Sequence, residues 1–270
     1  MNKSINAFWA VGFVILFLGL QFVSMIVTQL SLYLLHGEWP AELGTVGTIF
    51  ATALFSILAI ALFTIARWAP VSRSYVVTRP WGVVGWCVVA AIGATIPSLF
   101  VQELMPAWPE RWQDQIDRAA ALMSQIMSTT GGYAVICLLA PVAEELVFRG
   151  AALRSLLLWQ PQRRWLMIVL SAVLFAVSHM NPAQLLHPLV IGLLLGWMYE
   201  RTRSVLPGIV FHWANNTVAY LLFHAYPDPD ITLTQIVGSR GNALLAVFFS
   251  LLIVVPSVYQ LNRLLRRSTD

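Results

Sequence analysis

The chain has 270 residues, of which 59% are hydrophobic and 10% charged, with a formal charge of +4 and a mean hydropathy of +0.75. A soluble domain of this length could not hide so much apolar surface, so the composition points to a multi-span membrane protein and excludes an ordinary soluble enzyme. The positive charge is scattered over loops with no basic stripe, which excludes nucleic acid as a partner, and the only two cysteines, Cys87 and Cys137, sit inside apolar segments, against a disulfide or a cysteine-based zinc site.

About eight apolar segments follow one another, at roughly 7–35, 44–66, 81–104, 131–158, 165–179, 188–200, 205–226 and 242–261. The expected fold is therefore all-α: a polytopic membrane protein of about eight transmembrane helices. The first segment follows a single Lys3 and has no clear small-residue cleavage site, so it reads as a retained helix. The segments at 165–179 and 188–200 are short for straight spans. Trp9, Trp39, Trp68, Trp81, Trp108, Trp159 and Trp165 lie near segment ends, as an aromatic belt requires.

Loop charges alternate. Arg67, Arg73 and Arg79, then Arg163 and Arg164, then Arg201 and Arg203, then Arg263, Arg266 and Arg267 fall on one side, whereas the loop with Glu38 and Glu42 has no Lys or Arg. By the positive-inside rule both termini are cytoplasmic. The stretch PERWQDQIDRAAALMSQIM, 109–127, reads as an interfacial helix on the outer side or as a plain structured loop. The organisation expected is 1–130, three spans plus this helix; 131–226, the polar-bearing core; and 227–270, a last span with a basic tail.

The segment at 131–158 carries Glu144, Glu145 and Arg149 near its centre. A charge at mid-bilayer costs about 2.5–3.5 kcal/mol on insertion scales, so intramembrane ionisable groups are functional by default. Glu145 and Arg149 are four residues apart and share a helix face, so they can pair. Glu144 is rotated about 100° from Glu145, given 3.6 residues per turn. Its same-face neighbours, Ala140, Pro141, Val147 and Phe148, cannot neutralise it. Its partner must come from another helix or a water-filled cavity. Pro141 leaves the Cys137 carbonyl without its usual donor. A structural ion-pair knot is the bland alternative.

Two later segments supply polar partners. VLFAVSHM ends in His179, with Phe175 one turn before it. PGIVFHWANN contains His212 and Asn216 on one face, with Gly208 leaving room beside His212. Either histidine could instead be a hydrogen-bonded core residue, and Asn216 could simply join two helices. His36, His187 and His224 lie in loops or at span ends and receive no role. No Ser–His pairing, Cys–His dyad, HExxH or phosphate loop stands out.

An unneutralised carboxylate in low dielectric is a competent base toward water. One histidine can orient that water, while the other histidine and the amide donate to a developing oxyanion. That set could hydrolyse a peptide bond within the membrane. Alternatively, Glu144, His179 and His212 could hold Zn²⁺ with an open fourth position.

Three runs carry a resemblance. APVAEELVFRG resembles the EExxxR motif of the CPBP family, the CAAX-protease and bacteriocin-processing enzymes also called Abi; FAVSH resembles its FxxxH motif and HWANN its HxxxN motif. The likeness spans roughly 131–222. It implies an all-helical intramembrane metalloendopeptidase, similar to CAAX prenyl protease 2, with metal dependence open. It further implies that Glu144 activates water with help from His179, that His212 and Asn216 stabilise the oxyanion, and that Glu145, Arg149 and Phe175 support them. The implied partners are a membrane-embedded or membrane-anchored protein or peptide precursor and the lipid bilayer. The expected location is a bacterial inner membrane. A transporter would place similar charges at mid-membrane but often shows internal repeats, and none relates 1–130 to 131–270. A non-catalytic adaptor or immunity protein is the third reading.

Overall fold

The computed structural model describes residues 3–70, 80–105, 109–181, 185–228 and 231–265. Arg73, Arg79, Trp108, Arg266 and Arg267 therefore lie outside the described residues. The elements are α1 (Lys3–His36), α2 (Gly44–Ile65), α3 (Pro80–Glu103), α4 (Glu110–Met127), α5 (Thr130–Trp159), α6 (Arg164–Ser178), α7 (Leu186–Thr202), α8 (Leu206–Ala225), α9 (Leu233–Val237) and α10 (Arg240–Leu264). No strand occurs among the described residues.

Each of the eight apolar segments is a helix. Five of them, α1, α2, α3, α5 and α10, are long and apolar enough to cross a membrane. The chain is thus an all-α polytopic membrane protein. α6 and α7 have 15 and 17 residues and so reach only about 22–26 Å at 1.5 Å per residue.

Packing forms two groups. Phe13 and Phe17 of α1, Phe55 and Phe63 of α2, Phe148 of α5 and Phe175 of α6 make one apolar core. Cys87 and Ala91 of α3, Leu195 and Met198 of α7, Phe211 of α8 and Leu261 of α10 make the other. α10 is apolar on the outside and carries buried Ser250 and Ser257 within, the reverse of a soluble helix. Gly192 and Gly196 let α7 close on α6: a Cβ at Gly192 would lie 3.1 Å from Ala172, and one at Gly196 2.9 Å from Ile168. This is small-residue packing inside the molecule.

Proline within a membrane helix frees a carbonyl that lipid cannot satisfy, so a neighbouring helix must. Pro97 of α3 denies a donor to the Gly93 carbonyl, and the Ser250 hydroxyl of α10 donates to it instead.

Among the belt tryptophans, Trp9, Trp39, Trp81 and Trp165 are exposed. Trp68 differs: it packs on Phe13 and Phe63, with ring centroids 5.2 and 5.3 Å away. The stretch at 109–127 is a helix, α4, with only Ile126 buried.

Candidate active site

α5 is not a uniform α-helix. Tyr133–Leu139 and Glu145–Leu153 are wound as π-helix, on either side of an α-helical turn at Ala140–Glu144. Such i→i+5 segments are rare and concentrate at functional sites. Pro141 sets where the first one stops. Ala140 N–H donates to the Val135 carbonyl, five residues back. The next donor in that register would be Pro141, which has no N–H. The orphaned carbonyl is therefore that of Ile136, one residue earlier than the α-helical register implies for Cys137. Asn216 Nδ2 of α8 donates to it at 3.0 Å.

One face of α8 clamps α5 along its length. Tyr220 Oη donates to the Thr129 carbonyl at 3.1 Å, and Trp213 Nε1 donates to Tyr133 Oη at 3.2 Å. Thr217 Oγ1 also meets Tyr133 Oη, at 3.3 Å. His212 lies further along that face, against the two glutamates.

The adjacent carboxylates have opposite surroundings. Glu145 is fully buried and accepts from Arg149 Nη1 at 2.7 Å, the pairing that their spacing implies. The Arg149 guanidinium also lies over the Phe175 ring, 4.2 Å from its centroid. Glu144 retains 19% side-chain exposure and faces His212 Nε2 at 3.7 Å, so its partner does come from another helix. The other nitrogen of that ring, Nδ1, meets Glu145 Oε1 at 3.3 Å. A carboxylate only accepts, so Nδ1 carries a hydrogen and the ring's remaining function, at Nε2, faces Glu144.

Gly208 makes this possible. A Cβ there would stand 2.5 Å from Glu145 Oε2, so the glycine makes room for the buried carboxylate rather than for His212.

His179 caps the C-terminus of α6, and its Nδ1 donates to the Phe175 carbonyl at 2.9 Å. That fixes its tautomer and leaves Nε2 as an acceptor. Phe175 joins the parts: its ring meets His179 at 4.9 Å and His212 at 5.9 Å, edge to face in both cases. The structure thus gathers Glu144, Glu145, Arg149, Phe175 and His212 directly. Asn216 lies one turn beyond His212, and His179 stands across the Phe175 ring.

The three-ligand zinc set does not fit. Among the described residues no group of three His, Cys, Asp or Glu side chains stands at metal-holding distances. Glu144 and His212 approach each other, but His179 does not complete the set. A cavity of about 380 Å³ lies between α4 and the end of α8, lined by Ser124, Gln125, Ser128, Phe223, His224 and Pro227. None of the polar core residues lines it.

His187, a span-end residue given no role from the sequence, has one in the structure. It joins two helices: its Nδ1 contacts Ser98 Oγ of α3, and its Nε2 meets Asn215 Nδ2 of α8 at 3.4 Å. A lone histidine at a segment end carries no sequence signal for this, and Asn215 was visible only as the neighbour of Asn216.

Residues 126–218 match the family described as type II CAAX prenyl endopeptidase Rce1-like. No curated protein and no solved structure matches the chain. The matched stretch runs from the end of α4 into α8 and contains Glu144, Glu145, Arg149, Phe175, His179, His212 and Asn216. With three motif-bearing helices meeting around one histidine, this stretch of the chain is similar to the CAAX endopeptidase family.

Proposed function

We propose that the protein is an intramembrane endopeptidase that hydrolyses a peptide bond of a membrane-associated protein or peptide precursor. The observation that carries this reading is His212 suspended between a buried, paired Glu145 and a partly accessible Glu144. It divides two adjacent carboxylates into an anchor and a base.

Glu144 removes a proton from water as the water oxygen bonds to the scissile carbonyl carbon. The carbonyl π electrons move onto oxygen. His212, anchored at Nδ1–H by Glu145, carries a second hydrogen on Nε2 as the imidazolium between the two carboxylates and donates it to that oxyanion, and the second amide hydrogen of Asn216 joins it. The first amide hydrogen is committed to Ile136. Collapse of the tetrahedral intermediate breaks the C–N bond, and the proton held by Glu144 passes to the leaving amine. His179 Nε2 accepts a hydrogen bond from the attacking water and orients it. The expected setting is a bacterial inner membrane with both termini cytoplasmic.

The test is quantitative terminal proteomics on membranes from cells expressing wild-type protein or Glu144→Gln at matched abundance. New peptide ends that vanish in the variant are expected, with a loss of at least about 10²-fold, as for a general base. Identical termini would overturn the reading in favour of a non-catalytic adaptor.

A further inference from the structure

Resting on the proteolytic reading for its catalytic consequence, we propose that His187 is a positioning residue that fixes the orientation of the Asn216 amide through Asn215. Four side chains form a line from α3 to α5: Ser98, His187, Asn215 and Asn216, ending on the Ile136 carbonyl.

Hydrogen-bond chemistry gives the line one direction. The Asn215 amide nitrogen can only donate, so His187 Nε2 must accept, and the ring hydrogen sits on Nδ1, toward Ser98. The same amide nitrogen, 3.4 Å from Asn216 Oδ1, gives its second hydrogen there. Asn216 Oδ1 is thereby held by a donor, and its nitrogen is turned to Ile136, 3.0 Å away. The remaining Asn216 N–H is the one that the reaction uses. A flipped Asn216 amide would place two oxygens together at the Ile136 carbonyl and two N–H groups together at Asn215. His187 opposes this flip through Asn215, and among the described residues it makes no hydrogen bond to Glu144 or His212.

The line also explains why a polar contact tethers α3 to the core at this level. Ser98 follows Pro97, where the helix backbone is already short of a donor.

The experiment compares His187→Gln with His187→Phe. Glutamine returns an acceptor oxygen near the position of Nε2, whereas phenylalanine fills the ring volume without one. Two readouts are taken on the full-length protein. The first is the rate of appearance of Glu144-dependent peptide ends at matched abundance. A drop of about tenfold or more is expected for His187→Phe, with most of the rate restored in His187→Gln. The second is the side-chain amide resonance of Asn216 in detergent micelles, assigned with Asn216→Ala. It should move in His187→Phe and stay near its wild-type position in His187→Gln.

An unmoved Asn216 resonance in folded His187→Phe would overturn the proposal, whatever the peptide ends show. Equal loss of rate in both variants would do the same, since that marks packing rather than an acceptor. Absence of Glu144-dependent ends in the wild type would instead refute the proteolytic reading, while the amide resonance still decides the positioning role.

Discussion

Removing the Arg149 charge should separate the two glutamates by what each does. Arg149→Met keeps most of the stem that packs on Phe175 and deletes the guanidinium. In the wild type, Glu145 Oε1 takes a 2.7 Å bond from Arg149 and a 3.3 Å contact from His212, while Oε2 has no hydrogen-bond partner and abuts Gly208. Without Arg149, a fully buried carboxylate keeps only the weaker contact. Breaking a buried pair from one side costs about 3–5 kcal/mol, against a total stability of roughly 5–15 kcal/mol. Glu144→Gln should differ, because that carboxylate is partly exposed and its contact with His212 is at 3.7 Å. Its stability change should stay within about 1 kcal/mol. Reversible unfolding in mixed micelles, with membrane abundance alongside, measures both. Adding Glu145→Gln to Arg149→Met should recover about 2 kcal/mol, since the unpaired charge then disappears. An Arg149→Met protein within about 0.5 kcal/mol of wild type would refute the view that this pair anchors the site.

Two further outcomes follow from close contacts. Gly208→Ala places a Cβ 2.5 Å from Glu145 Oε2, so about 1–3 kcal/mol of destabilisation is expected in the same unfolding assay, with slower cleavage as Glu145 shifts away from His212. Ser250→Ala strands the Gly93 carbonyl and should cost about 1–3 kcal/mol; in a Pro97→Ala background the helix recovers its own donor, so the penalty should nearly vanish. A penalty of equal size in both backgrounds would show that Ser250 contributes only packing.

Much of the site was legible because helical spacing survives inside a membrane. The i, i+4 spacing of Glu145 and Arg149 puts them on one face, and the structure pairs them. The position of Glu144 off that face implied a partner on another helix, and His212 of α8 meets it. What stayed hidden depended on backbone register. Reading α5 as α-helix assigns the orphaned carbonyl to Cys137, whereas the π-winding moves it to Ile136. No residue type announces a π-segment, because its φ and ψ lie close to those of an α-helix and only the hydrogen-bond partner changes. His187 stayed hidden for a different reason. Its partners, Ser98 and Asn215, lie 89 and 28 residues away in the chain, and each is an unremarkable polar group on its own. Gly208 was legible as a space-making residue but not as to which side chain needs the space.

Three charges at the centre of a membrane helix have an intelligible energetic logic. Glu145 and Arg149 form an internally neutral unit, so the membrane interior holds one pair rather than two separate ions. That unit still has an acceptor to offer, and His212 takes it. The histidine is thereby fixed by an element already needed to bury the charges. Glu144 is then the only carboxylate of the two left partly exposed, and it faces the nitrogen of His212 that Glu145 does not hold. Had the two glutamates been one turn apart on the same face, both would have competed for Arg149. Their adjacency in sequence, with the rotation of about 100° that it imposes, is what lets one helix carry a buried, paired carboxylate and a partly exposed one that faces His212.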